Sequence, residues 1–189
     1  LTIQLRPINT HIIIQEIKIQ SSDYEISGRL YVPKIVYNTA MKVPGILILH
    51  GISCTKEMLS GIALETAKAG YISLTIDLAG HGESGGKLGG QDPTFGAAAA
   101  YDFLAQMTNV DQTKLGLVGH SLGAGAVRTI ASNRENVTSI ILIGGGVSGS
   151  NNSSYSNILS ASLPKNLLVI VGENDVLFSI DSLELNLRP

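Results

Sequence analysis

Residues 119–123, which read Gly-His-Ser-Leu-Gly, have types and spacing that suit nucleophilic chemistry. They follow an apolar run typical of a buried strand and precede residues 124–131, which are compatible with a helix. In this context the Gly-x-Ser-x-Gly pattern predicts a nucleophile elbow, a sharp turn that presents a strained serine, here Ser121. Gly119 and Gly123 allow close approach of the backbone where a Cβ atom would clash. A glycine-rich turn with an ordinary serine is the alternative interpretation.

The helix predicted after Ser121 would place free backbone N–H groups beside the serine hydroxyl. The positive end of the helix dipole would lie at the same place. Such groups stabilise the oxyanion that forms when a nucleophile attacks a carbonyl carbon. Ser121 is therefore the candidate nucleophile for an acyl-transfer reaction.

Short apolar runs that alternate with helical segments predict the elements that must position this serine. Continuous apolar runs of strand length are typical of strands buried on both faces of a sheet. Strands that alternate with helices favour a mostly parallel, doubly wound α/β sheet, whose chemistry lies beyond the carboxyl ends of the strands. The predicted strands are residues 45–49, 71–76, 114–119, 139–143 and 167–171, and the predicted helices are residues 56–69, 95–107 and 122–133.

The first part of the chain, residues 2–32, has a different pattern, in which apolar and polar residues alternate. Such alternation over β-branched residues is typical of half-buried antiparallel strands. The polar residues 21–23 suit a turn between two of these strands. We therefore expect an N-terminal antiparallel hairpin at one edge of the sheet.

The composition limits the classes of partner that the chain can have. A length of 189 residues suits one domain, and a net charge of −2 offers no basic surface for nucleic acid or anionic lipid. No apolar run approaches the ~18 residues of a membrane-spanning helix. The single cysteine, Cys54, cannot form an internal disulfide, which slightly favours a cytoplasmic location; a secreted protein without disulfides is the alternative.

No metal or cofactor is implied by the sequence, because the histidines and carboxylates lack the spacing of metal ligands. Residues 80–85 match Gly-x-Gly-x-x-Gly, and Asp102 lies further along, but a dinucleotide site needs a helix that opens within the glycines. Here the next predicted helix begins near residue 95. Residues 81–88 resemble a phosphate loop, but histidine replaces its first glycine and leucine its hydroxyl residue.

The remaining candidate residues each follow a predicted strand. They are the His-Gly pair at 50–51, Asp77 with the glycine-rich residues 78–90, and the Gly-Glu-Asn-Asp run at 172–175. With these patterns and the elbow in this order, the chain resembles the α/β-hydrolase family, and most of all its peptidase, esterase and dienelactone-hydrolase-like branches. The resemblance extends over about residues 16–177.

The resemblance implies roles for the residues around the elbow. Ser121 would be the nucleophile, and the backbone N–H groups of Ile52 and Leu122 would form the oxyanion hole. Main-chain donors suit this role because they are fixed before charge develops on the carbonyl oxygen. His50 and Gly51 would support the oxyanion turn.

The resemblance also implies that Asp175 is the triad acid, which would orient a histidine and stabilise its imidazolium. Glu173 is the second choice for this role, and a solvated turn aspartate is the alternative interpretation of Asp175. In the family a last strand and a histidine-bearing loop follow the acid, but no histidine follows Asp175 here. We therefore expect a single domain, residues 1–189, that lacks the family's C-terminal strand and helix and the triad base.

None of the four histidines of the sequence is a convincing substitute for that base. We expect His11 to be solvated and the side chain of His120 to point away from the serine. His50 and His81 are expected to support their own loops. If a histidine of this chain does act as base, His81 is the first choice.

The leading hypothesis is a serine hydrolase that cleaves an ester or related acyl bond of a small molecule through an acyl-enzyme. The alternative, which the absent histidine favours, is a non-catalytic binding or assembly domain with the same fold. Only a short stretch separates the last two predicted strands, so we expect no lid domain and an open site that prefers short acyl groups. The strand at 167–171 would form an exposed sheet edge, through which two chains could dimerise.

Overall fold

The computed structural model describes residues 11–145 and 166–175, and these form a seven-stranded sheet with helices on both faces. Most elements follow the predicted alternation of strands and helices. The strands are β1 (Ile12–Ser21), β2 (Tyr24–Pro33), β3 (Val43–Leu49), β4 (Ile72–Ile76), β5 (Val110–His120), β6 (Val137–Ile143) and β7 (Asn166–Ile170), and the helices are α1 (Ser60–Lys68), α2 (Ala97–Gln106) and α3 (Leu122–Ser132).

The strands lie in the order β1-β2-β4-β3-β5-β6-β7. β1 pairs antiparallel with β2, and β2 pairs antiparallel with β4. The other neighbours are parallel. After β3 the chain moves to β4 on one side and then returns to β5 on the other, so the strand order reverses between β3 and β5. In open α/β sheets ligands bind beyond the carboxyl ends of the strands at such a reversal.

Successive residues of each strand point to opposite faces of the sheet, and helices cover both faces. Leu47 of β3 packs in a cluster with residues of α2 and α3, whereas the next residue, Ile48, packs in a second cluster with Ala63 and Ala67 of α1. Both clusters are buried, which explains the continuous apolar runs of the parallel strands. The predicted doubly wound, mostly parallel sheet is confirmed.

The predicted N-terminal hairpin is present as β1 and β2, joined at residues 22–23. β1 is an edge strand and shows the expected alternation of exposed and covered residues. β2 is more buried than its pattern predicts, because it lies between β1 and β4 instead of at the edge. The part of the predicted hairpin at residues 2–10 lies outside the described residues.

Two predicted helix starts are wrong. α1 begins at Ser60, not at Lys56, because the backbone N–H and side chain of Lys56 bind a carboxylate of the neighbouring strand. α2 begins at Ala97, after Gly96, which has a φ of 84°. The predicted end of α1 is confirmed, since Gly70 follows it with a φ of 97°.

The other edge of the described sheet is β7, whose Leu168 and Ile170 are about half exposed. A dimer through this edge stays a prediction. The stretch in which we expect no lid, residues 146–165, lies outside the described residues. None of the helices in the described ranges is long and apolar enough to span a membrane.

Candidate active site

Ser121 lies at the tip of a sharp turn between the end of β5 and the first residue of α3. Its backbone angles, φ 50° and ψ −110°, lie outside the regions that residues with a side chain ordinarily adopt. Such a conformation costs on the order of 1–3 kcal/mol and persists only where the surrounding structure imposes it. One constraint is the N–H of Ser121, which donates to the carbonyl oxygen of Ile143 at 2.9 Å.

The two glycines of the pattern are required by close backbone contacts. A Cβ atom on Gly119 would lie 2.4 Å from the carbonyl oxygen of Gly123, and one on Gly123 would lie 2.6 Å from that of His50. The N–H of Gly123 donates to the same His50 oxygen at 3.1 Å. The first turn of α3 is thus bound to the carboxyl end of β3. A side chain at Gly123 would push α3 away from β3, and a side chain at Gly119 would push α3 away from β5.

The turn after β3 lies directly against the serine. A Cβ atom on Gly51 would lie 3.2 Å from Cβ of Ser121 and 2.6 Å from Nδ1 of His120. Glycine at position 51 therefore allows the two turns to meet. The reversal of strand order between β3 and β5 brings together the residues that were predicted at the ends of these two strands.

Two backbone N–H groups at this meeting point have no acceptor among the described residues. Neither the N–H of Ile52 nor that of Leu122 donates a hydrogen bond within the part of the chain that the structure describes. Backbone donors are normally paired unless water or a ligand reaches them. Ile52 is 53% exposed, so its turn is open to solvent. These two donors lie in the two turns that meet beside Ser121.

His50 is buried and uses both ring nitrogens to hold the turn that follows it. Its Nε2 accepts a hydrogen bond from the N–H of Leu78 at 3.0 Å, so the proton is on Nδ1, which donates to the carbonyl oxygen of Gly51 at 2.7 Å. Burial, the largest influence, lowers the pKa of His50. The ring is therefore neutral and fixed, with no nitrogen left to move a proton.

Asp175 lies in the turn that follows β7, two strands away from the elbow. Its N–H donates to the carbonyl oxygen of Gly172 at 3.0 Å, and Gly144 at the end of β6 donates to Ile170 at 2.8 Å. A Cβ atom on Gly144 would lie 3.8 Å from both Oδ2 of Asp175 and Nε2 of His120. The carboxylate thus approaches the elbow along the ends of the strands, whereas Glu173 is exposed.

The other three histidines differ from one another in their contacts and exposure. Nδ1 of His81 lies 3.1 Å from the carbonyl oxygen of Ala79, and its ring meets that of His50 edge-on at 5.1 Å. His120 has a buried Nδ1 without a hydrogen-bond partner in the described chain. His11 is exposed, just before β1.

The sequence interpretation missed one buried charged group near this site, Lys56, which was assigned to a helix. Its side chain is 3% exposed and lies against the carboxylate of Asp77, at the end of β4. The signal that could have found it is a lysine five residues after the His-Gly pair, together with an aspartate directly after the next predicted strand. Within the described ranges no group of three or more histidine, cysteine or acidic residues could hold a metal ion.

The strand order, the helices on both faces and the turn at the end of β5 define an α/β-hydrolase fold. A sequence profile described as "Serine aminopeptidase, S33" matches residues 43–180, and the chain belongs to this family. The resemblance inferred from the four patterns is thereby confirmed at the level of the superfamily.

Among proteins of known sequence, an uncharacterized 31.7 kDa protein encoded in the traX-finO intergenic region of Escherichia coli is 27% identical over 124 residues. The match covers 64% of this chain and 43% of that protein, so the chain spans less than half of the relative's length.

Two solved structures share most of the fold. An esterase from Pyrococcus furiosus has a TM-score of 0.75 at 17% identity, over 97% of this chain and 80% of that one. A dienelactone-hydrolase-like promiscuous phosphotriesterase from metagenomic libraries has a TM-score of 0.71 at 16% identity, over 92% and 74%. At these identities the likeness establishes the fold alone.

Proposed function

We propose that this chain carries the nucleophile and oxyanion hole of a serine hydrolase that cleaves ester or related acyl bonds of small molecules. The observation that carries the proposal is the strained turn at Ser121 beside two N–H groups, those of Ile52 and Leu122, that have no acceptor in the described chain. A strained conformation and unpaired donors both carry a free-energy cost. Their presence at one place favours a function that uses them.

In the proposed reaction Oγ of Ser121 attacks the acyl carbon while a base takes the hydroxyl proton. The N–H groups of Ile52 and Leu122 would stabilise the charge that develops on the carbonyl oxygen. The base then returns the proton to the leaving alcohol, and water releases the acid from the acyl-enzyme. Asp175 is proposed as the acid that orients the base.

No histidine of this chain is assigned as that base. Both ring nitrogens of His50 are occupied within its own loop, and the ring of His81 packs against His50. Nδ1 of His120 is buried against the position where Gly51 lacks a side chain. We propose that the base is supplied from outside this sequence, which spans 43% of its E. coli relative.

The proposed substrates are esters with short, accessible acyl groups. Two of the structures with this fold are described as an esterase and a phosphotriesterase, which supports chemistry at an ester bond. The exposure of Ile52 supports an open site beside the serine.

The proposal is tested with a fluorophosphonate probe, which reacts with activated serines, followed by mass mapping of the labelled peptide. Selective labelling of Ser121 is expected, because an oxyanion hole and substrate binding together retain roughly 10³–10⁴-fold of catalysis over water when a triad member is absent. Ser121→Ala should lose the label. The matched control is Ser132→Ala, at the far end of the same helix, which should keep it.

Two results would contradict the proposal. Labelling of another serine would mean that Ser121 is not the activated residue. A folded protein that takes up no label at any serine would favour the alternative, a binding or assembly domain with a hydrolase fold.

A further inference from the structure

Lys56 and Asp77 form a buried ion pair at the end of β4. Their side chains are 3% and 0% exposed, and Nζ of Lys56 donates to Oδ2 of Asp77 at 2.8 Å. The backbone N–H of Lys56 donates to the other carboxylate oxygen, Oδ1, at 2.7 Å. One carboxylate thus fixes both the main chain and the side chain of Lys56.

The glycine-rich loop after β4 completes this cluster of charges. Glu83 accepts from Nζ of Lys56 at 2.9 Å, and the N–H of Glu83 donates to Oδ2 of Asp77 at 2.9 Å. A Cβ atom on Gly82 would lie 2.3 Å from Cγ of Asp77, so the loop can wrap the carboxylate only with glycine at this position. Ser27 of β2 donates to the same oxygen of Glu83 at 3.1 Å.

The charges of the pair stabilise each other. Burial alone would raise the pKa of Asp77, but hydrogen bonds from the N–H of Glu83 and from Lys56 outweigh it and hold this pKa below its usual range. Burial alone would lower the pKa of Lys56, but its hydrogen bonds to Asp77 and Glu83 raise it. Both groups are therefore charged at neutral pH.

The pair lies at one end of the turn that contains Ile52. At the other end, His50 binds the N–H of Leu78, the residue that follows Asp77. The two ends of the turn are thus held by adjacent residues at the end of β4. Between them the turn has one internal backbone hydrogen bond, from Cys54 to Gly51 at 3.3 Å.

The middle of the turn has little else to hold it. Ile52 is 53% exposed, and Ser53 has a φ of 58°, which is unfavourable for a residue with a side chain. The conformation of the turn is therefore imposed by the contacts at its two ends. Release of one end would allow the turn to relax and the N–H of Ile52 to move.

We propose that Lys56 is a positioning residue for the oxyanion hole: its ion pair with Asp77 fixes the far end of the turn that presents the N–H of Ile52. This inference rests on the proposed function of Ser121 and Ile52. Loss of one oxyanion donor costs about 10²–10³-fold in rate, so displacement of one donor should cost about ten- to a hundredfold.

The test measures how the rate of Ser121 phosphonylation by the fluorophosphonate probe depends on probe concentration. Lys56→Met, which removes the charge and keeps the length of the side chain, should slow labelling at saturating probe by about ten- to a hundredfold. The probe concentration that gives half of the maximal rate should stay within about twofold, because ground-state binding does not use the oxyanion hole.

Conservative and control variants separate positioning from folding. Lys56→Arg keeps a charge that can bind both carboxylates, and it should recover most of the rate. Lys68→Met removes an exposed lysine that is paired with Glu65 on α1, and it should label like the wild type. Circular dichroism and thermal unfolding establish that each variant is folded under the labelling conditions.

The outcomes distinguish this inference from the proposed function. If wild-type Ser121 takes up no label, the proposed function fails. If the wild type is labelled and folded Lys56→Met is labelled at the same rate, only the role of Lys56 is overturned. If Lys56→Met does not fold, Glu83→Gln is used in its place. A smaller decrease in the labelling rate, with an unchanged probe concentration at half of the maximal rate, supports the inference. Labelling kinetics equal to those of the wild type overturn it.

Discussion

Lys56 and Arg128 are both basic, and both are almost completely buried, with 3% and 4% of their surface exposed. Lys56 binds two carboxylates, and its pKa is raised. Arg128, on α3, has no hydrogen-bond partner for Nε and Nη2 in the described chain, and burial lowers its pKa. Among the residues that the structure describes, the charge of Lys56 is compensated and that of Arg128 is not.

This difference follows the position of each residue relative to the carboxyl ends of the strands. Lys56 lies where β4 ends, next to the turn that carries Ile52, and there its charge connects two loops. Arg128 lies in the second half of α3, beyond the turn that presents Ser121. A buried ion pair is costly to break but adds little to the free energy of unfolding. A buried charge without a partner lowers the free energy of unfolding, because it loses its hydration and gains no compensating interaction. The comparison predicts opposite effects of removing the two charges.

The largest effect is expected for Asp77→Ala, which leaves the ammonium group of Lys56 buried with the exposed carboxylates of Glu83, at 2.9 Å, and Glu57, at 3.8 Å, as its partners. The free energy of unfolding should fall by about 3–5 kcal/mol, the usual cost of breaking a buried pair. Urea unfolding measures it. Glu65→Gln, which breaks the exposed pair with Lys68, is the control and should cost less than about 1 kcal/mol. Equal losses in the two variants would contradict a special role for burial.

Arg128→Met should have the opposite sign. Replacement of an uncompensated buried guanidinium by an apolar side chain of similar length should raise the free energy of unfolding by about 1–3 kcal/mol. The control is Arg134→Met, which removes a half-exposed arginine paired with Asp102. A marked loss of stability in Arg128→Met would show that Arg128 has a counter-charge in solution.

His50 extends the comparison to a buried base that is held by hydrogen bonds to main-chain groups. Its pKa is lowered in the folded state, chiefly by burial, so below about pH 6.5 the unfolded chain binds a proton that the folded chain does not. The stability from this group is therefore present above pH 6.5 and is lost as the pH falls, by at most about 1.4 kcal/mol per pH unit.

Urea unfolding at a series of pH values from 8 to 5 checks this prediction. His50→Gln keeps one acceptor for the N–H of Leu78 but does not titrate, so its stability should depend less on pH than that of the wild type. Identical pH profiles for the wild type and His50→Gln would mean that His50 is not the group that titrates.

Local patterns predicted the elements around the serine. Gly119 follows from the spacing of the pattern alone, because its clash with the carbonyl oxygen of Gly123 lies within one turn, whereas the clash that requires Gly123 is with the carbonyl oxygen of His50, at the end of a strand distant in sequence. The carboxyl ends of β3 and β5 were also predicted, since short apolar runs mark buried strands. The residue types and strand ends around the serine could therefore be predicted, because their signals lie close together in sequence.

Features that depend on distant strands were not predicted. The first turn of the expected helix at Lys56 is replaced by contacts with Asp77, which is 21 residues away and adjacent only because β4 pairs with β3. The burial of β2 depends in the same way on its pairing with β4. Helix periodicity and strand alternation carry no information about such neighbours until the strand order is known.

The backbone of Ser121 has a consequence for the history of the chain. Glycine adopts the conformation at φ 50° and ψ −110° more easily than serine, so selection for stability alone would favour glycine at this position. Strained backbone conformations of this kind cluster at active sites and other functional positions. If Ser121 acts as proposed, a lineage in which this domain had lost that role would accumulate glycine at this position.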